Sequence, residues 1–318
     1  MSAQPSREMY EGFFPGGAYT NEHQLTQLRM LAAQISLGQN KRIFARHAGS
    51  HLSRQQGRGL ELSELREYQQ GDDIRAIDWR VTARTGLTHT RIYQEEKERP
   101  VFILCDQRAS MFFGSQYSFK SVVAAQVASL LAWAALQQGD KVGAFLLGTE
   151  QVKDFNARHN AQHVLAIIRQ LNVFNQALHA GQHKNEVSFG EYLQQVKRVI
   201  KPGSSLYLIS DFFDLTSSDH KQLFELRRHT HIQALQILDP LERQLPGSGQ
   251  YLISDGQREG VISTRNNREQ QEYMQALNVW HEQQAKVFRQ LGIAMGTLST
   301  HEPPIAALQI AMQMAGGK

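Results

Sequence analysis

The chain has 318 residues, 41% of them hydrophobic and 20% charged, which is enough apolar material for a sizeable core and excludes extended disorder. Thirty-four Lys and Arg against thirty Asp and Glu give a net charge of +4, a mild basic excess that does not by itself select a polyanionic partner. One cysteine, Cys105, excludes an internal disulfide framework and fits a reducing, cytoplasmic setting. The longest apolar run, residues 127–136, falls short of the roughly 20 residues a membrane span requires, and the polar N-terminus lacks a signal-peptide core.

In chain order, residues 1–20 carry Gly12, Pro15, Gly16 and Gly17 without a sustained period and read as a loose arm. Residues 22–37, with Leu25, Leu28, Leu31, Ala32 and Ile35 three or four apart, predict an amphipathic helix. A basic segment follows, holding Lys41, Arg42, Arg46, Arg54 and Arg58 with no acid among them. Residues 60–96 mix charge with β-favouring runs and turn signals at Gly71-Asp72 and Thr85-Gly86, so 21–99 is expected to form a small strand-containing N-terminal module.

After Pro100 the texture changes. The continuous apolar run 101–105 ends at Asp106, as in a buried parallel strand, and 118–136 reads as a helix apolar nearly all round. Strands at 141–147, 205–210, 231–238 and 293–298 alternate with helices at 159–171, 188–200, 218–228 and 267–291. A hairpin at 251–254 and 260–264 turns on Asp255-Gly256, an insertion within about 240–265. That alternation predicts an α/β domain over 100–318 with a doubly wound, mostly parallel sheet.

The chain carries no G-x-x-x-x-G-K-[ST] loop, no G-x-G-x-x-G after the first apolar strand and no G-x-S-x-G elbow, and Cys105 lies inside a strand. Nucleotide hydrolysis and nucleophilic catalysis therefore lack a candidate. Asp106 and Asp211 each follow a buried strand and should emerge at the carboxyl edge of the sheet, where ligands of such folds bind. As strand-end carboxylates they could equally cap the turns that follow or pair with a neighbouring Arg. Between Gly71 and Arg84, Asp72, Asp73 and Asp78 alternate with Arg75, Arg80 and Arg84. Such acids could hold two metals for hydrolysis, but the interleaved cations favour charge pairing and helix capping, with Trp79 as a core or module-interface anchor.

The loop Asp106-Gln107-Arg108-Ala109-Ser110-Met111, with the acidic loop at Ser210-Asp211, resembles the D-x-S-x-S-M metal-adhesion loop of von Willebrand factor A-like domains. The resemblance implies a divalent cation, usually Mg²⁺, held through Asp106, Ser110 and Asp211, with Ser188 the positional counterpart of a later threonine. Arg108 departs from the pattern. A guanidinium offers only donors and a fixed positive charge, so it is expected to replace the metal as an internal counter-ion to Asp106 and Asp211, and no cofactor is expected.

A longer signature runs through Gly57-Arg58-Gly59, Leu65-Arg66-Glu67-Tyr68, Gly71-Asp72-Asp73, Arg75, Ile77-Asp78-Trp79 and Ala83-Arg84, then Gly139-Asp140-Lys141-Val142-Gly143 and Asp239 to Pro246. It closely resembles the bacterial domain of unknown function 58 family. The resemblance implies a von Willebrand factor A-like domain behind a small N-terminal module, commonly encoded beside MoxR-type AAA+ ATPases. The expected role is a non-enzymatic scaffold or adaptor that meets such an ATPase or its client. The alternatives are nucleic-acid or polyanion binding through 41–58, by counterion release, and a metal-dependent hydrolase.

Overall fold

The structure, a computed structural model, describes residues 10, 12–37, 60–69, 74, 77–95, 100–179, 187–245, 249–254, 259–263 and 267–316. The basic segment carrying Lys41, Arg42, Arg46, Arg54 and Arg58 lies outside the described residues, as do Gly71, Asp72, Asp73 and Arg75. The chain divides into a large unit, residues 1–45 with 99–318, and a small one, residues 46–98.

The large unit begins earlier than its sequence texture predicts. In place of one helix over 22–37, two short helices, α1 (Glu22–Gln27) and α2 (Arg29–Ala32), break at Leu28. They belong to the large unit, not to the module expected over 21–99. Residues 12–20 of the expected loose arm are packed on the large unit: Phe14 is buried, Gly17 N–H donates to the Tyr117 carbonyl at 2.8 Å, and the Tyr117 hydroxyl donates to the Phe14 carbonyl at 2.7 Å. Gly16 permits this approach, because a Cβ there would lie 2.3 Å from the Tyr117 carbonyl oxygen.

The small unit is an antiparallel pair, β1 (Leu60–Glu67) and β2 (His89–Glu95), in register from Leu60↔Glu95 to Glu67↔His89 with a bulge at Leu62/Glu64. Between them stands α3 (Trp79–Thr85). Asp78 caps it, accepting from Arg80 N–H at 3.0 Å and Val81 N–H at 3.1 Å, and Gly86 closes it in the left-handed region at φ +74°. Arg66 lies in β1, Tyr68 N–H donates to the Thr88 carbonyl at 2.8 Å, and Arg84 sits in the last turn of α3. Trp79 is 66% exposed, so of the two expected roles, core or module-interface anchor, the core one is not observed.

From Val101 onward the chain winds β3 (Val101–Gln107), α4 (Lys120–Gln137), β4 (Val142–Gly148), β5 (Val152–Arg158), α5 (Ala161–Gln176), α6 (Phe189–Val199), β6 (Ser205–Ser210), α7 (Ser217–Arg227) and β7 (His231–Leu238). A hairpin of β8 (Gln250–Ser254) and β9 (Glu259–Ser263) precedes α8 (Asn267–Leu291), β10 (Ala294–Ser299) and α9 (Pro304–Gly316). Six strands form one sheet in the order β10-β7-β6-β3-β4-β5, parallel throughout except for β5, which runs antiparallel to β4 at the edge. The expected doubly wound, mostly parallel α/β sheet is therefore observed; β5 and α9 are additional to the expected elements. Among the described residues no helix is long and apolar enough to cross a membrane.

Period-two alternation divides the sheet's side chains between two cores. Val101, Ile103 and Cys105 join α4, α5 and α9 on one face, while Phe102 and Leu104 join α6, α7 and α8 on the other. Sixteen of the 18 residues of α4 are buried, because the sheet covers one side of the helix and α1–α2 cover another. Leu28, Leu31, Ala32 and Ile35 belong to that same core, and Arg29 stacks 5.3 Å over the Trp133 ring. A helix apolar on every side needs this second cover. Leu28 is completely buried, so Leu28→Ala is expected to destabilise the large unit by about 2–5 kcal/mol. Urea unfolding of the full chain measures it, and a loss below about 0.5 kcal/mol, as for a surface site, would show that α1 and α2 are not part of this core.

Candidate functional site

All five parallel strands end at one edge, and the strand order changes direction between β3 and β6. That reversal opens the crevice in which doubly wound folds place their sites. Three neighbouring strands bring a carboxylate there: Asp106 in β3, Asp211 directly after β6, and Asp239 directly after β7. Each is at most 3% exposed. An ionised carboxylate withdrawn from water must be paired or fully hydrogen-bonded, and each of the three meets this demand differently.

Asp106 is paired with Arg108. Arg108 Nε donates to Asp106 Oδ1 at 3.0 Å and Nη2 donates to Oδ2 at 2.8 Å, the two-point fork that guanidinium and carboxylate planes favour. The same guanidinium reaches Asp214, with Nη1 to Oδ2 at 2.5 Å and Nη2 to Oδ1 at 2.9 Å, and lies 5.9 Å over the Phe189 ring. Burial alone would pull the Arg108 guanidinium down, but the charge of Asp106 and the Asp214 hydrogen bond outweigh it and hold it well above its ordinary value. For Asp214, burial pushes upward and the Arg108 hydrogen bond and charge push downward harder, so its carboxyl titrates below the usual carboxylate range.

Asp211 is paired with Lys120, the first residue of α4. Lys120 Nζ donates to Asp211 Oδ2 and to Glu242 Oε1, both at 2.8 Å, and lies 5.7 Å over the Phe113 ring. The two carboxylates outweigh the burial that would lower this buried ammonium and keep it above its ordinary range, hence charged. Asp239 has neutral donors instead: Thr300 Oγ1 at 2.7 Å, Ser115 N–H at 2.9 Å, Leu241 N–H at 3.0 Å and the Ser115 hydroxyl.

The expected ligand set comes together only in part. Arg108 meets Asp106 as an internal counter-ion, but its second carboxylate is Asp214; Asp211 is held by Lys120. The hydroxyl that meets Asp106 is Ser210 Oγ, at 2.8 Å. Ser110 lies in the 3-10 turn Ala109–Met111, and Ser188 caps α6 in a capping box, its Oγ accepting from Glu191 N–H at 3.1 Å. Asp106 Oδ1 also accepts Arg108 N–H at 3.0 Å, and Asp211 Oδ1 accepts Phe213 N–H at 3.1 Å. Every oxygen of both carboxylates thus serves a protein donor, two of these donors being cationic side chains. A divalent cation wants free anionic or neutral oxygens, so this donor set does not fit one.

Lys120 and Asp239 had readable signals. A lone lysine at the head of a helix buried on every side requires an anionic partner, and Asp239 follows an apolar run just as Asp106 and Asp211 do. Glu242 and Asp214 carried no such pattern, since only the fold brings them to the two cations.

Because Asp214 titrates below its unfolded value, it contributes stability that is present above about pH 4 and is lost as the pH falls through its folded value. Asp214→Asn is therefore expected to be less stable than the parent at pH 7, with the difference shrinking as the pH falls below about 4 and vanishing only below the folded value of Asp214. Parallel denaturant titrations across that range check it; a difference that persists unchanged at low pH would show that the Arg108–Asp214 pair is not its source.

Residues 64–283 match the family model described as "Protein of unknown function DUF58". Uncharacterized proteins of Mycobacterium tuberculosis and Mycobacterium bovis are 28% identical over 214 residues, covering 67% of this chain. The match spans 66% of those relatives' own length, just under two thirds. Similar solved structures include the conserved hypothetical protein BatB from Bacteroides thetaiotaomicron, at 14% identity and TM-score 0.39, covering 68% of this chain and 98% of that one. A von Willebrand factor type A structure from Catenulispora acidiphila has 14% identity and TM-score 0.36, with 72% and 43% covered.

Proposed function

The chain belongs to this family of unknown function, and from that premise we propose that it is a non-enzymatic protein-interaction adaptor whose partner meets the carboxyl edge of the six-stranded sheet. One observation carries the reading: the edge's buried acids are already neutralised or hydrogen-bonded from within. The hydrogen bonds of Asp106, Asp211 and Asp239 go to groups of the protein itself, which commits them to holding loops in place. Cys105 is no nucleophile either, since burial pushes its thiol far above the range in which a thiolate forms.

What faces outward suits recognition. Phe213, in the loop after β6, is 64% exposed, and Phe113, in the loop after β3, is 39% exposed. Their loops are fixed from below by the Lys120 and Arg108 clusters, so an aromatic contact surface is presented with little conformational freedom left to lose on binding. The proposed partner is a MoxR-type AAA+ ATPase or its client, on the strength of the family resemblance. The ATPase would supply the energy-consuming step and this chain the docking surface, in a reducing, cytoplasmic setting. The competing reading, polyanion binding through Lys41 to Arg58, rests on the sequence charge alone.

Affinity capture on the tagged full chain, with and without ATP, followed by mass spectrometry, tests the proposal. The expected result is nucleotide-dependent recovery of an AAA+ ATPase, reduced at least about five-fold by Phe213→Ala, a loss of the size expected for a central aromatic contact. Recovery dominated by nuclease-sensitive material, indifferent to Phe213, would overturn it in favour of the basic segment.

A further inference from the structure

The whole chain carries +4, yet the loops leaving the five parallel strands carry the opposite sign. To the five carboxylates of the buried network these loops add Glu150 and Glu302, seven acids in all, against Arg108, Lys120 and Arg243, a net charge of −4. The two buried cations are also outnumbered locally: Arg108 shares Asp106 and Asp214, and Lys120 shares Asp211 and Glu242. The outer member of each trio is the less buried one, the side chains of Asp214 and Glu242 being 35% and 27% exposed. The excess negative charge thus faces outward.

Aromatic rings lie beside it. Lys120 Nζ sits over the Phe113 ring while bonded to Asp211, and Asp211 in turn holds Phe213 N–H, so both phenylalanines adjoin one charge cluster. The Phe213 ring is 5.9 Å from Trp280 of α8, and the next residue, His281, hydrogen-bonds the Glu242 carbonyl through Nε2 at 2.8 Å. Carboxylates interleaved with ring faces attract a side chain that is cationic at its tip and apolar along its stem. An acidic or phosphate-bearing segment would meet like charge here.

We infer that this edge receives a basic, partly apolar segment of the protein partner, with lysine or arginine set among aliphatic side chains. The inference rests on the adaptor reading and specifies what that reading's partner presents. Association through such a surface is steered by charge and weakens with salt.

Fluorescence anisotropy on the full chain tests it with three labelled peptides, one alternating lysine with leucine, one glutamate with leucine and one serine with leucine. The lysine peptide is expected to bind at least about ten-fold more tightly than the other two, less tightly as salt is raised, and about three-fold or more weakly to Phe213→Ala and to the surface variant Glu150→Lys/Glu302→Lys. Equal or tighter binding of the glutamate peptide, or lysine-peptide binding unchanged in both variants, overturns the inference. If an ATPase is captured through Phe213 and the lysine peptide does not bind, the adaptor reading stands and this inference falls. If the peptide behaves as described and no protein is captured, the chemistry of the edge stands without that partner.

Discussion

The architecture of the sheet's carboxyl edge follows from the cost of keeping ionised carboxylates out of water. Asp106 is fully buried at the end of a central strand, where an uncompensated charge would cost several kcal/mol. Arg108, two residues on, returns its guanidinium to Asp106 and so folds the loop back over the strand end. That places the free side of the fork against Asp214, which is carried by the loop after β6. One ion pair thereby ties the loops of the two strands that flank the reversal of strand order. Lys120 repeats the device one layer over, joining the head of α4 to Asp211 and to Glu242 after β7. The two pairs fix the relative positions of three loops and one helix start without any outside ligand.

The loop after β6 shows how tightly this arrangement constrains the backbone. Phe212 adopts φ +58°, a left-handed conformation that costs a residue with a side chain on the order of 1–3 kcal/mol. Its ring is fully buried and packs edge-on against Phe189 at 5.9 Å and tilted against Phe288 at 5.0 Å. With Asp211 bonded to Lys120 on one side and Asp214 to Arg108 on the other, the chain between them has little room to relax. The outcome is an inward Phe212 and an outward Phe213 from adjacent positions, so an exposed aromatic is held on a rigid base. A recognition surface gains from that rigidity.

Much of the fold is legible in the sequence because buried parallel strands are apolar on both faces. The runs ending at Asp106, Asp211 and Asp239 stand out against their surroundings and alternate with helical spacings. β5 is harder to read: it is an edge strand, only Val152, Phe155 and Ala157 face inward, and the polar residues between them mask the period. α9 carries a clearer signal, Pro304 in its first turn with Ile305, Leu308 and Met312 spaced along one side. The N-terminal boundary misleads for a different reason. Residues 22–37 are separated by the basic segment from the apolar strands, and nothing local shows that the outer side of α4 lacks a cover. In the site, Asp106, Arg108 and Asp211 are readable from strand ends and loop pattern, whereas Glu242 and Asp214 acquire their roles only through tertiary contact.

Arg108 and Lys120 act as built-in counter-ions to the buried carboxylates Asp106 and Asp211. The most direct measurement is a crystal structure grown in excess Mn²⁺, with anomalous scattering to locate the ion. Arg108 is expected to stay forked onto Asp106 and Lys120 to stay on Asp211, with no anomalous peak within about 2.5 Å of either carboxylate, the outer limit of oxygen coordination. A metal bound between Asp106 and Asp211, with the Arg108 guanidinium turned away, would contradict it.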